Sequence, residues 1–142
     1  MAYSILTRWR NITDIPVSEI ADADVRTDYT TPALARFNGI MGLTDTITTD
    51  TTGNTHKDEA IAWLAASMYH SGQYTTKRDE SRGGLFIWEV WEQQAYKTMA
   101  EIDATKFDYN KGTGVYTVHS RPEVWMNALS YEDGTEETVY GI

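Results

Sequence analysis

Two segments constrain the fold of this chain more than anything else in it: "DEAIAWLAASMYHSGQ", Asp58 to Gln73, and "LFIWEVWEQQAYKTMAEI", Leu85 to Ile102. In the first, Ile61, Leu64, Ala65 and Met68 recur at helical spacing, and Ala60 and Ala62 leave room for a close neighbour. Thr55 or Asp58 supplies a cap at its start, and Gly72 is placed to end it in a left-handed turn. In the second, Ile87, Val90, Trp91, Ala95, Thr98 and Ile102 share a face flanked by Trp88 and Met99. Glu89, Glu92, Lys97 and Glu101 make its wet side. Both patterns are those of amphipathic helices.

A third helical block precedes the pair, "DADVRTDYTTPALARFNGIMG". Val25, Tyr29, Ala33, Phe37 and Met41 recur every four residues on one face. Asp22 can cap the helix, and Asp24 suits its positive N-terminus. Pro32 falls in the middle of the face, and Thr31 before it is a good cap, which predicts two short helices meeting at a kink. Gly39 and Gly42 weaken the end.

The connecting segments are polar. "TDTITTDTTGNT", residues 44–55, has seven threonines in twelve positions and almost nothing apolar but Ile47. It is expected as an exposed loop or a short edge hairpin, of the kind that often meets a partner. "QYTTKRDESRGG", residues 73–84, is a polar loop in which Asp79 and Glu80 lie between Arg78 and Arg82. Beyond Asp103 the period changes from helix to strand. In "TKFDYNKGTGVYTVH", residues 105–119, Phe107 and Tyr109 alternate, and a turn follows through Asn110–Gly114. Val115 or Tyr116 then alternates with Val118, a hairpin pattern.

The two ends lack such regularity. Residues 1–21 form an arm in which Ile5, Leu6, Trp9, Ile12 and Ile15 are mixed with polar residues and Pro16 interrupts any regular element. An arm this apolar packs on something, either its own helices or a neighbour. The segment 120–142 is too short and polar to form a core. Its Trp125, Tyr131 and Tyr140 are spaced as anchors along an extended strand. The expected fold is therefore mainly α, a small bundle of three to four helices with a β-hairpin and extended N- and C-terminal arms. A body spanning 1–119 would be followed by a docking tail, 120–142.

Composition narrows the function. The chain has 142 residues, enough for one domain with a real core, and no cysteine, so disulfides, thiolate metal sites and cysteine nucleophiles are excluded. No apolar run approaches the length of a membrane span. Arg8 and Arg10 follow rather than precede the first short apolar stretch, the wrong order for a secretory signal. A net charge of −9 repels nucleic acid at long range, so a basic DNA-binding module is ruled out, although a polyanion can slide past such a wall.

The residue types that carry catalysis or bind metals occur here without the spacing either needs. His56, His70 and His119 have no paired spacing for zinc, and His70 is explained by its helix C-terminus. "DADVRTD" lacks the glycine and terminal glutamate of a calcium loop, and helix capping accounts for its acids. The charges at 78–82 read as a solvated run. No serine lies in a nucleophile elbow and no glycine pattern cradles a phosphate. "NIT" at Asn11 matches a glycosylation sequon too common to carry weight. The expectation is no enzyme, no cofactor and no metal.

Tryptophan and apolar area point instead to assembly. Trp88 and Trp91 lie on neighbouring faces, so both can hardly enter one helix-pair core. Either one packs inside with the other half covered by the arm, or one anchors a subunit contact, where tryptophan is enriched. Trp88, Trp91 and Trp9 are the expected subunit-interface residues. Helix pairs in so small a chain are expected to leave a wide apolar face uncovered, which favours an oligomer.

The order of these parts resembles the head–tail connector (adaptor) proteins of tailed bacteriophages and archaeal tailed viruses. Asp58, Ala60 and Ile61 match the opening of the family's helix of the type D-x-A-I-x-x-A-x-x-L-x-A-x-x-Y, Leu64, Ala65, Met68 and Tyr69 supply its apolar and aromatic character at other spacings, and the resemblance spans roughly residues 17–102. Pro32, the long Thr-rich loop and the apolar N-terminal arm depart from the pattern and bear on subunit packing.

The resemblance implies a non-enzymatic homo-oligomeric ring, a dodecamer, beneath the portal protein in a virion neck assembled in the host cytoplasm. It would contact a tail or head-completion protein, touch genomic DNA only in passing and meet no membrane. The tail residues Trp125, Tyr131, Val139 and Tyr140 would grip the portal, and strand addition would satisfy their backbone. The alternative is a free-standing α+β interaction or ligand-binding module, with the hairpin 105–119 and Trp125 lining a pocket.

Overall fold

A computed structural model describes residues 4–73, 78–79 and 85–119. In chain order the helices are α1 (Ile5–Thr13), α2 (Asp22–Val25), α3 (Thr31–Met41), α4 (Thr55–Gln73) and α5 (Ile87–Ile102). Strand β1 (Arg78–Asp79) pairs antiparallel with β2 (Leu85–Phe86), and β3 (Phe107–Asn110) with β4 (Val115–Val118). The protein is mainly helical with a two-stranded antiparallel hairpin, as the periodicities predict.

Helix α4 is the hub, packed along α5 on one side and against α1, α3 and the turn before α3 on others. Ala60, Ile61, Ala62, Leu64, Ala65 and Ala66 are each 0 % exposed, and Tyr69 and His70 are buried too. An amphipathic helix was expected; a helix enclosed on most sides is observed. The alanines make this possible, because side chains of one carbon let neighbours approach on faces that a single stripe of large residues would leave wet. Its cap is Asn54 rather than Thr55 or Asp58: Asn54 Oδ1 accepts from the N–H groups of His56 (2.9 Å) and Lys57 (3.2 Å). Gly72 lies within the helix and does not adopt the left-handed conformation expected of it.

The N-terminal arm is the largest departure, because residues 5–13 of it are helical. Ser4 caps α1 by accepting from Thr7 N–H, and Asp14 closes it in a left-handed turn whose N–H donates to the Arg10 carbonyl. Pro16 therefore follows the helix rather than interrupting it. Ile5, Leu6 and Trp9 are buried. Trp9 stacks on Tyr29 with ring centroids 5.8 Å apart and meets Tyr69 edge-on at 5.6 Å. Arg10 anchors the connection to α2 by donating to the Ile15 and Ile20 carbonyls and to Asp22. With α1 covering α4, the wide bare apolar face expected from the helix pairs does not exist among the described residues. Only Val17 and Tyr109 stand out as exposed large hydrophobics there.

Pro32 is accommodated by a π-helical turn, Arg26–Thr30, between α2 and α3, so the helical run is continuous from Asp22 to Met41. Proline lacks an N–H and its ring crowds the carbonyl four residues back. Widening the preceding turn, so that Thr31 N–H reaches the Arg26 carbonyl five residues back, relieves the crowding without breaking the run. Val25, Ala33, Phe37 and Met41 are buried and Tyr29 is half-buried, as their spacing predicts. Gly42, with φ of 68°, terminates α3 in a conformation other residues enter at a cost.

The Thr-rich segment is a loop folded on itself. Thr48 and Thr51 exchange backbone bonds across Thr49 and Asp50, both with positive φ, the geometry of a tight hairpin turn. It is held down by Asp58, only 1 % exposed, whose carboxylate accepts from Thr51 Oγ1, Thr52 N–H (2.8 Å) and Thr52 Oγ1 (2.7 Å). Asp50 adds a bidentate pair with Arg26 and accepts from Ile5 N–H at 2.8 Å.

Candidate interaction surface

The most distinctive surface lies on α4 between α1 and α5. Glu59, Trp63 and His70 fall on one side of α4, since separations of four and seven residues return to the same face. Glu59 accepts a bidentate set of bonds from Arg8 of α1 (2.9 to 3.1 Å) and a bond from Trp63 Nε1 at 2.8 Å. The Arg8 guanidinium lies 5.3 Å from the Trp63 ring centre. Trp63 in turn meets Trp91 of α5 at 6.5 Å, and Trp91 meets the His70 ring edge-on at 5.1 Å. The result is a half-buried aromatic row with a charged pair at one end.

Clefts open at both ends of this row. Toward the C-terminus of α4, Ile12, Thr13, Ile15, Tyr69, His70, Ile87 and Trp91 line a volume of about 320 Å³. Toward its N-terminus, Thr55, His56, Glu59, Gln94, Thr98 and Glu101 line about 300 Å³ with an acidic rim. A third cleft of about 510 Å³ lies between the π turn and the Thr-rich loop, lined by residues such as Arg26, Thr30, Leu34, Ile47 and Asp50. None of these three clefts involves the hairpin 105–119 expected to line a ligand pocket, and Trp125 lies outside the described residues.

Elsewhere on α5 an acid serves a structural pair. Glu92 and Tyr96 of α5 meet Arg36 of α3, with Arg36 Nη2 donating to Glu92 and to Tyr96 Oη, each at 2.6 Å. Burial, reinforced by the Glu92 charge, pushes the Tyr96 phenol up to about 12. Burial likewise raises Tyr29. The hydrogen bond and charge of Asp50 raise Arg26. Among the described residues no group of three His, Asp or Glu side chains is placed to share a metal ion.

The expected interface residues separate. Trp9 is corrected: it is 0 % exposed inside its own chain's core and has no surface to give a neighbour. Trp91 lies in the aromatic row, and Trp88 stacks on Phe86 with centroids 6.2 Å apart; both are half-buried. The two tryptophans do occupy different faces. Trp125, Tyr131, Val139 and Tyr140 lie outside the described residues. Trp63 was missed, because a single apolar stripe through Ile61 and Leu64 leaves it on the wet side. Its spacing from Glu59, one helical turn earlier, was the available signal.

No described helix is long and apolar enough to cross a membrane. Comparisons with protein-family models, curated proteins and solved structures find no match.

Proposed function

We propose that the chain is a non-enzymatic structural subunit of a virion neck, a head–tail connector that forms a homo-oligomeric ring between portal and tail. The observation that supports this reading best is the half-covered row of Trp63 and Trp91, together with half-buried Trp88 on a different face of α5. Tryptophan is enriched among the residues that anchor protein contacts, and these rings keep part of their surface open to one. The helix that carries the resemblance adds to it as the centre of the fold, with Asp58, Ala60, Ile61, Leu64, Ala65 and Tyr69 buried and Met68 half-buried. The net charge of −9 suits a lumen that DNA traverses without sticking.

In this reading the α1/α5 side of one subunit receives a neighbour and the rigid α4 hub keeps the ring in register. The segment 120–142 reaches the portal. Electron microscopy of the purified full-length protein, alone and with its portal, is the direct test. Rings are expected, and Trp63→Ser with Trp91→Ser should abolish them while the helical circular dichroism persists. A protein that stays monomeric at high concentration, with and without the portal, would refute the proposal.

A further inference from the structure

The hairpin β3–β4 has one closed edge and one open edge, and its hydrogen bonds tell them apart. Tyr116 of β4 turns both backbone groups toward α5. Its N–H donates to Gln93 Oε1 at 2.6 Å, and its carbonyl accepts from Gln93 Nε2 at 3.1 Å. The Gln93 amide thus stands where a neighbouring strand would be.

Tyr116 faces Tyr109 across the hairpin. Because neither backbone group of Tyr116 points inward, the two form a non-hydrogen-bonded pair. The flanking bonds set the same parity: Gly114 N–H donates to the Asn110 carbonyl at 2.7 Å, and His119 N–H to the Lys106 carbonyl at 2.8 Å. The N–H and carbonyl of Tyr109 therefore point away from β4, along the outer edge of β3. No described backbone group bonds them. Asp108, Tyr109 and Asn110 are all exposed, and the Tyr109 side chain is 52 % exposed.

We propose that the β3 edge is a self-association surface, pairing antiparallel with β3 of a second copy about a two-fold axis at Tyr109. A second copy fits for three reasons. Facing Tyr109 residues exchange two N–H···O bonds at the axis, so the edge is its own complement. The register then sets Asp108 opposite Asn110 of the second copy, and no like charges face each other. Tyr109 also lies against Tyr116, ring centroids 4.7 Å apart, so pairing extends this contact into a row of four tyrosines. Among the described residues nothing bonds the outer edge of β3, since β4 and not β3 lies against Gln93 of α5.

Four residues per copy bury less area than a permanent dimer needs, and each copy carries a charge of −9. The association is therefore weak and promoted by salt, which screens the repulsion. This inference does not rest on the neck reading, whose ring uses a head-to-tail contact on the α1/α5 side.

Sedimentation equilibrium of the full-length chain from roughly 10 µM to roughly 1 mM, at low and high salt, tests it. A dimer that grows with concentration and with salt is expected. Tyr109→Pro deletes the outward N–H and the Tyr109 ring but none of the hairpin's own ladder bonds, and should weaken dimerisation by about tenfold or more. Asp108→Pro deletes a bond inside the hairpin and shows what a broken hairpin looks like. Should Tyr109→Pro resemble it, amide exchange in the native protein decides, with Tyr109 N–H expected to slow as concentration rises. A monomer throughout, an assembly indifferent to Tyr109→Pro with the hairpin intact, or a Tyr109 amide indifferent to concentration would overturn the proposal.

Discussion

Replacing Asp58 with alanine should be the most damaging single change in the described structure that leaves apolar packing almost untouched. The carboxylate is 1 % exposed and accepts three hydrogen bonds from Thr51 and Thr52. Bonds to a charged acceptor contribute roughly 1.5–3 kcal/mol each, but these three share one acceptor group and do not add, so Asp58→Ala should cost about 3–4 kcal/mol. Asp58→Asn keeps one oxygen for Thr52 N–H, and its amide can donate to the Thr51 hydroxyl, so it should cost about 1–2 kcal/mol.

Urea unfolding followed by tryptophan fluorescence measures both. Native-state amide exchange then locates the loss. Thr52 N–H and Ile5 N–H, the latter bonded to the Asp50 carbonyl of the same loop, should lose protection before the α4 amides do. An Asp58→Ala protein within about 1 kcal/mol of the parent, or one that keeps Thr52 protected, would show that the carboxylate does not hold the loop.

Two further outcomes follow from the core. Trp9→Ala, which empties a site wholly enclosed with Tyr29 and Tyr69, should cost about 3–5 kcal/mol by urea unfolding, and Trp9→Phe distinctly less, since the lost indole N–H has no hydrogen-bond partner among the described residues. The Tyr96 phenol, raised to about 12 chiefly by burial, favours its neutral form in the folded state. Its contribution, on the order of 2 kcal/mol, is complete below the ordinary tyrosine value near pH 10 and is lost as pH rises toward about 12. Phenolate absorbance should therefore show a late-titrating tyrosine that Tyr96→Phe removes.

The local elements were legible because their causes are local. The four-residue spacing from Val25 to Met41 places that face correctly, and the alternation around Phe107 and Tyr116 locates both strands of the hairpin. Loss of an apolar face at Asp103 marks the end of α5. Other features were written in the sequence but admitted two readings. Pro32 after a threonine fits a capped restart as well as a π turn, and only the packing of the π turn and α3 on α4 chose the continuous run. Trp9, with Ile5 and Leu6, fits an arm on a neighbour as well as a helix on its own core. The choice depended on whether Tyr29 and Tyr69 were within reach.

By itself, then, the sequence determined the helical class, the hairpin, the acidic character and the absence of cysteine chemistry, because period, charge and residue type need no neighbours. Only the tertiary structure decided which apolar side chains are spare. It enclosed Trp9, left Trp63 and Trp91 half-covered beside Arg8 and Glu59, and gave the Asp58 carboxylate to a loop rather than to a helix cap. Burial is a property of what packs opposite, and residues far apart in the chain, such as Arg8 and Glu59, supply it only once the helices have met.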